Sequence, residues 1–378
     1  MSTIPFEEKE LRNRLQQIQG KMTGQGLDFL LLTRPENIYY VTGFRAAKMS
    51  SSVSRFLAVV VPSEGEPKLF TRVLEREIAK LQWTKDPVLY MDHENPFLLL
   101  SNFLKGSSGA AKMKLGAEYT HLTVWQYDNL RAASPNAELV DATGLVDGVR
   151  VVPSKLESEF IRKAAKITET GFNAGIDALR IGAYRYEVHA SIQEALFKAG
   201  QTDSDSSFVA VWSGTKGGRM HDTSTDEKIH DGDTVTIEVH GIFNQYRAVS
   251  QGTVYVGRGP IPESVTETFD LVSRMFRKAK DSLKLNLKTG EVYNAANSVY
   301  RTARGSDYFR RVGGTVGMSV FDIDFRKGGQ ETLKPGMGLI VQTLTDDPVL
   351  VCCVSTLMLS EHGVDELTVP LLEPKRVG

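Results

Sequence analysis

The sequence predicts an α/β (α+β) protein of two domains. Its 378 residues exceed what one simple core organises. Helix-like and strand-like stretches alternate as far as Val140. A stretch mixing Gly, Asp and Pro, Asp141–Lys155, then separates them from a second series of long helices and strands. The first domain is placed at residues 1–145 and the second at 155–372.

Phe6–Lys21 spaces apolar residues among charges at near-helical intervals, which predicts an amphipathic helix. LDFLLLT (Leu27–Thr33) is an apolar run of strand length, stopped by Pro35. NIYYVTGF (Asn37–Phe44) reads as a turn into a short helical or irregular piece. FLAVVVP (Phe56–Pro62) and PKLFT (Pro67–Thr71) read as strands around the turn SEGE. In the second domain Ser154 is an N-cap before a long helix, LESEFIRKAAKITETGFNAGIDAL. Another helix is expected at Glu187–Lys198. Strands are expected at Ser207–Ser213, Thr234–Phe243 and Thr253–Gly257, helices at Ser264–Leu283 and Glu291–Arg304, and closing strands at Gly338–Asp346, Val349–Leu359 and Asp365–Pro370.

Composition narrows the function classes. Lys plus Arg number 45 and Asp plus Glu 46, a net charge of −1, which gives no electrostatic case for nucleic acid or an anionic membrane as a partner. Two adjacent cysteines, Cys352 and Cys353, cannot staple distant segments and suit a reducing cytoplasm. The N-terminus has no apolar signal core, and no apolar run reaches membrane-spanning length. A cytoplasmic location is expected. GSSGAAKMKLG (Gly106–Gly116) lacks the Gly-Lys-Ser/Thr ending of a phosphate loop. The basic run RTARGSDYFRR (Arg301–Arg311) reads as a solvated face or a dimer contact.

NIYYVTGF, KLESEFIRKAAKITETG, HDGDTVTIEVHGIFNQY, LKPGM (Leu333–Met337) and LSEHGVDELT, in this order, resemble the creatinase/prolidase/methionine-aminopeptidase family. The resemblance covers nearly the whole chain. It implies a creatinase-like N-terminal α/β domain followed by a C-terminal pita-bread domain. Most members of that family bind two metals through two Asp, one His and two Glu, a hard donor set suited to hydrolysis. The matching positions here are Glu238, Val249, Gly314, Gln342 and Val354. Only the first is a carboxylate, and valine or glycine donates no lone pair. Neither a metal nor another cofactor is therefore expected.

Creatinase, which works without metal, supplies the remaining expectations. His221 falls at the position of its acid–base histidine, and an imidazole titrates near neutrality. Gln251 and Gln342 stand where creatinase has glutamates that hold a guanidinium; uncharged amides imply a neutral central group. Arg55 aligns with an arginine that grips a substrate carboxylate across the dimer. Glu238 and His240 alternate onto one face of their strand as further proton-transfer candidates. Cys352 shares a face with Val354 and reads as a pocket residue, with a nucleophilic pairing to His221 as the sharper alternative and an inert buried thiol as the plainer one. Phe321 and Phe325 are expected to make the pocket apolar, and Arg326 to offer a further anion contact.

The resulting expectation is a metal-independent, creatinase-like enzyme that hydrolyses a C–N bond of a small carboxylated nitrogen compound, as a homodimer with a shared active site. A lyase, cyclase or isomerase on the same scaffold, and a catalytically inactive binding module, are the alternatives. A peptidase with a degraded metal site is set aside.

Overall fold

The computed structural model describes residues 4–46, 56–108, 112–203, 207–214, 220–223 and 225–378. The chain divides into two compact units, Met1–Arg150 and Val151–Gly378.

The first unit runs α1 (Glu8–Gln25), β1 (Phe29–Leu32), α2 (Pro35–Thr42), β2 (Ala58–Pro62), β3 (Lys68–Arg72), α3 (Arg76–Ala79), β4 (Val88–Tyr90), α4 (Pro96–Ser108), β5 (Met113–Ala117), α5 (Val124–Ala133), β6 (Ala137–Asp141) and α6 (Asp147–Arg150). Helix α1 forms because Leu11, Leu15, Ile18 and Met22 fall on one buried face; it stops at Gly26, whose φ of 65° is left-handed. The sheet order is β4-β3-β2-β1-β5-β6. Its continuous apolar strands pack Leu31, Val60, Phe70 and Leu115 into one core with Phe97 and Leu104 of α4. The NIYYVTGF segment is α2, and its asparagine has a structural task. Buried Glu118 accepts the backbone N–H groups of Thr33 at 2.6 Å and Arg34 at 2.8 Å, and also the Asn37 amide. The Asn37 amide also donates to Asp147 at 3.1 Å, so it ties α2 to both carboxylates. Burial nevertheless pushes the Glu118 carboxyl up.

The second unit contains α7 (Lys155–Ala178), α8 (Arg185–Lys198), β7 (Phe208–Gly214), β8 (Asp233–Phe243), β9 (Tyr246–Val256), α9 (Glu263–Ser282), α10 (Thr289–Arg304), β10 (Gly313–Val316), β11 (Val320–Asp324), β12 (Gly338–Thr345), β13 (Val351–Ser360), β14 (Gly363–Glu366) and β15 (Lys375–Val377). Ser154 caps α7 as its sequence predicts: its hydroxyl accepts from the Glu157 N–H, and Glu157 reaches back to the Ser154 N–H. The sheet has nine strands, ordered β11-β10-β12-β13-β9-β8-β7, with β14 on β13 and β15 on β9. Its spine is the β8–β9 hairpin, paired from Asp233↔Val256 to Phe243↔Tyr246. Asn244 and Gln245 turn it with φ of 48° and 72°, the two positive values a tight hairpin turn of matching twist requires. Helices α7 and α8 cover Val211, Ile237 and Val239 of β7 and β8. Helices α9 and α10 cover Leu339, Val341, Val351 and Cys353 of β12 and β13.

Three details differ from the sequence expectation. The short strand expected at Thr253–Gly257 is the end of eleven-residue β9; the polar start of β9 hid it. Glycine-rich β10 and its partner β11 were not anticipated, because GGTV carries little strand propensity. The last expected strand, Asp365–Pro370, is β14 at Gly363–Glu366.

Gly241 sets how closely α7 lies on β8. A Cβ there would stand 2.7 Å from the backbone nitrogen of Thr168 and 2.6 Å from its hydroxyl. Gly241→Ala is expected to cost about 1–3 kcal/mol through overpacking, read as a lower urea midpoint. An unchanged midpoint would show that α7 yields freely.

Candidate active site

One row of residues crosses five adjacent strands of the larger sheet. Ala210 pairs with Glu238, Glu238 with Gln251, Gln251 with Val354, and Val354 with Gln342. Directly opposed residues in antiparallel strands share a face, so these side chains stand side by side. His240 lies two residues beyond Glu238 on the same face.

The polar members bond to each other. His240 Nε2 lies 2.8 Å from Glu238 Oε1. A carboxylate only accepts, so Nε2 carries a proton, and in the neutral imidazole Nδ1 keeps a lone pair. That Nδ1 is buried and has no partner among the described residues. The ring of Phe208 stands edge-on to the imidazole, with centroids 5.2 Å apart. Farther along the row, Gln342 Nε2 donates to Gln251 Oε1 at 3.1 Å, and Arg310 Nη2 donates to Gln342 Oε1 at 3.2 Å.

Other positions that the resemblance matches to the family's ligands carry hydrocarbon. Val249 and Val354 pack with Val316 and Ile340, and Val320 and Phe321 close over them. At Gly314 a Cβ would lie 2.4 Å from the Ile323 carbonyl oxygen and 2.8 Å from the Phe321 ring. No side chain fits there without movement of β11. Among the described residues no three His, Cys, Asp or Glu are placed to share a metal ion. The donors at these five positions therefore do not fit a dinuclear metal pair.

A cavity of about 330 Å³ adjoins the row. Phe208 and Ala210 line it from the sheet, with Trp212, His189 and His221 around them. Arg185 forms its base. That guanidinium is 2% exposed and bonded to the Val211 carbonyl at 2.7 Å, Asp222 at 3.2 Å and Glu227 at 3.1 Å.

The expected site residues are thus partly assembled. Glu238 meets His240, and Gln251 meets Gln342. His221 is an exposed rim residue of the cavity, held at φ 65° with its ring edge-on to Trp212 at 6.0 Å; its neighbour Asp222 turns away to Arg185. Arg55 lies outside the described residues. Cys352 is fully buried beside Leu344 and Leu350, and burial pushes its thiol far up, so it is the inert thiol and not a nucleophile paired with His221. Phe321 does face the emptied ligand positions. Phe325 instead points into the core beneath α9 and α10. Arg326 is exposed on the turn after β11, where its carbonyl accepts the Gly329 N–H, so it is no contact of the row. The basic run Arg301–Arg311 also splits. Exposed Arg301 pairs with half-buried Asp307, whereas Arg310 turns inward to Gln342. Sequence reasoning missed Arg310, Arg185 and Phe208; strand register places Phe208 beside His240, and tertiary hydrogen bonds place the two arginines.

Residues 14–152 match the Creatinase/Prolidase N-terminal domain, and residues 159–347 match Metallopeptidase family M24, half of the chain. The chain belongs to family M24. It is 24% identical over 362 residues to the Xaa-Pro dipeptidase of Pyrococcus furiosus, covering 95% of this chain and 98% of the relative. It is 26% identical over 365 residues to an uncharacterized peptidase of Staphylococcus epidermidis, again covering 95% and 98%. In fold it is similar to the crystal structure of a prolidase from Thermococcus sibiricus, with a TM-score of 0.87, 20% identity and coverage of 97% and 99%. The creatinase-like N-terminal domain and pita-bread C-terminal domain are therefore present, and membership places the chain among hydrolases.

The same findings overturn the expected function. The family is one of metallopeptidases and these relatives are peptidases, not metal-independent enzymes of small non-peptide nitrogen compounds. The lyase, cyclase, isomerase and inactive-module alternatives fall with it. No helix among the described residues is long and apolar enough to cross a membrane.

Two outcomes test the site's packing. Gly314→His is expected to lower the denaturation midpoint without raising manganese content measured by elemental analysis; a stable variant that takes up manganese would show that the pocket can open. Cys352 and Cys353, both buried with thiols pushed up by desolvation, are expected to resist Ellman's reagent until the protein is denatured, and rapid native labelling would contradict their placement.

Proposed function

We propose that this protein hydrolyses the amide bond of a short peptide, with Glu238 and His240 moving the protons. The observation that carries this reading is the Glu238–His240 pair itself, set in the strand where the resemblance places the family's first ligand and leaving a buried Nδ1 with no partner among the described residues. The relatives' peptidase names supply the substrate class. A cavity of about 330 Å³ lies at the small end of the range for small-molecule pockets, which suits a substrate of two or three residues.

The chemistry follows from the tautomer. His240 Nδ1 takes a proton from water as the water oxygen bonds to the carbonyl carbon. Glu238, accepting from Nε2–H, stabilises the imidazolium that forms. The same proton then passes to the amide nitrogen as the C–N bond breaks. Hydroxyl has gone to the acyl carbon and hydrogen to nitrogen, so one water is consumed and a free carboxyl and a free amine are released. Arg185, already matched to Asp222 and Glu227, acts as scaffold for the cavity wall. The family's metals have no fitting donors here, and no step is assigned to them.

A dipeptide panel, assayed with and without manganese, tests this. His240→Ala is expected to reduce turnover by about 10²- to 10⁴-fold, the usual worth of a positioned acid–base group. His221→Ala is expected mainly to raise KM. Wild-type protein inert toward every dipeptide in both conditions would refute the proposal.

A further inference from the structure

We propose that Arg310, Gln342 and Gln251 form a hydrogen-bond chain of fixed polarity whose last group, Gln251 Nε2, donates to the carbonyl oxygen of the substrate as it becomes an oxyanion. The proposal deepens the peptide-hydrolysis reading and rests on it.

The direction of the chain is forced. A guanidinium has no acceptor, so Arg310 Nη2 must meet the oxygen of Gln342, 3.2 Å away. The Gln342 amide is thereby oriented, and its Nε2 points at Gln251, 3.1 Å away. Only an oxygen receives that bond, so the Gln251 amide is oriented in turn. Its Nε2 is left over. Gln251 is 1% exposed and Gln342 6% exposed, and Nε2 has no partner among the described residues. A buried donor without an acceptor is costly unless a ligand or water answers it. Gln251 stands directly opposite Glu238, whose Oε1 is taken by His240. The orphan donor and the orphan base, His240 Nδ1, thus belong to neighbouring strands on one face.

Such a donor selects its ligand. It donates to a carbonyl or an oxyanion and is repelled by a cation. Arg310 has no carboxylate partner among the described residues; its other nitrogen, Nη1, reaches only the sulfur of Met220, at 3.5 Å. Its charge is therefore not cancelled locally, and the two amides relay it toward the developing oxyanion. Arg310 is a positioning residue in this scheme, and Gln251 the group that touches substrate.

Gln251→Glu keeps the bond from Gln342 but replaces the donor with a negative acceptor. In wild type and variant, dipeptide turnover and the affinity of a phosphinic dipeptide isostere are to be compared. The expected result is a 10²- to 10³-fold loss of kcat with KM within threefold, and at least tenfold weaker binding of the isostere. Arg310→Lys, which still donates, is expected to keep within tenfold of wild-type kcat, whereas Arg310→Met loses much more at equal thermal stability. A Gln251→Glu enzyme within threefold in both kcat and isostere affinity would overturn the donor assignment while leaving hydrolysis intact. If wild type hydrolyses nothing, a tenfold weaker isostere affinity in Gln251→Glu still supports the donor while the hydrolytic reading falls. Failure of wild type to bind the isostere overturns both.

Discussion

The register of β8 against β9 is the constraint on which the site depends. Eleven consecutive pairs run from Asp233↔Val256 to Phe243↔Tyr246, closed by a two-residue turn. A slip of one residue would send Glu238 and His240 to the face that packs under α7 and α8, and would bring Ile237 and Val239 to the site. The helix side prevents that slip. Val239 and Ile237 are fully buried there, and Gly241 offers α7 an approach that no other residue permits. Apolar packing on one face therefore fixes polar geometry on the other.

The family's donors, two Asp, one His and two Glu, are not what this row presents. Val249 and Val354 are no mere vacancies, since they join Val316 and Ile340 in a small apolar cluster sealed by Phe321. Arg311 stacks over the Phe321 ring at 3.8 Å and lies 3.5 Å from Asp324, which holds that lid of aromatic surface in place. Gly314 leaves room for the ring because it has no side chain. The substitutions depend on each other: a histidine at 314 would collide with the ring, and a carboxylate at 249 or 354 would be buried in hydrocarbon without a partner.

The fold was legible because its cues are local. Ser154 announced α7 and apolar runs announced β1 and β2, while the segment from Asn37, read as a short helical or irregular piece, proves to be part of α2. Strand β9 was half hidden, since its first half, YRAVSQ, mixes polar and apolar residues. The site was legible only in part. Glu238 and His240 alternate within one strand, so sequence alone pairs them. Gln251 with Gln342 required the family resemblance, because the contact spans 91 residues and is set by three-strand register. Arg310 was invisible because its partner lies 32 residues on and its run also holds solvent-facing Arg301 and Arg304. Function was misjudged because the loss of ligands was weighed above descent.

Charge balance separates this row from a dinuclear metal site. A buried site with two Asp, two Glu and a His is strongly anionic, and it holds together only around multivalent cations. Here a single carboxylate remains in the row, bonded to an imidazole, and a single cation stands at the far end behind two neutral amides. Removing only some of the carboxylates would leave like charges side by side in a poorly hydrated row, at greater cost than either full set. Amides at 251 and 342 resolve this in a particular way. They keep the shape of glutamate and the bond between strands, but they have a direction, which a carboxylate pair lacks. Arg310 sets that direction from one end. What a metal ion would provide as charge, this row can provide as oriented dipoles, whose free end is a donor and so faces an acceptor oxygen rather than a cation.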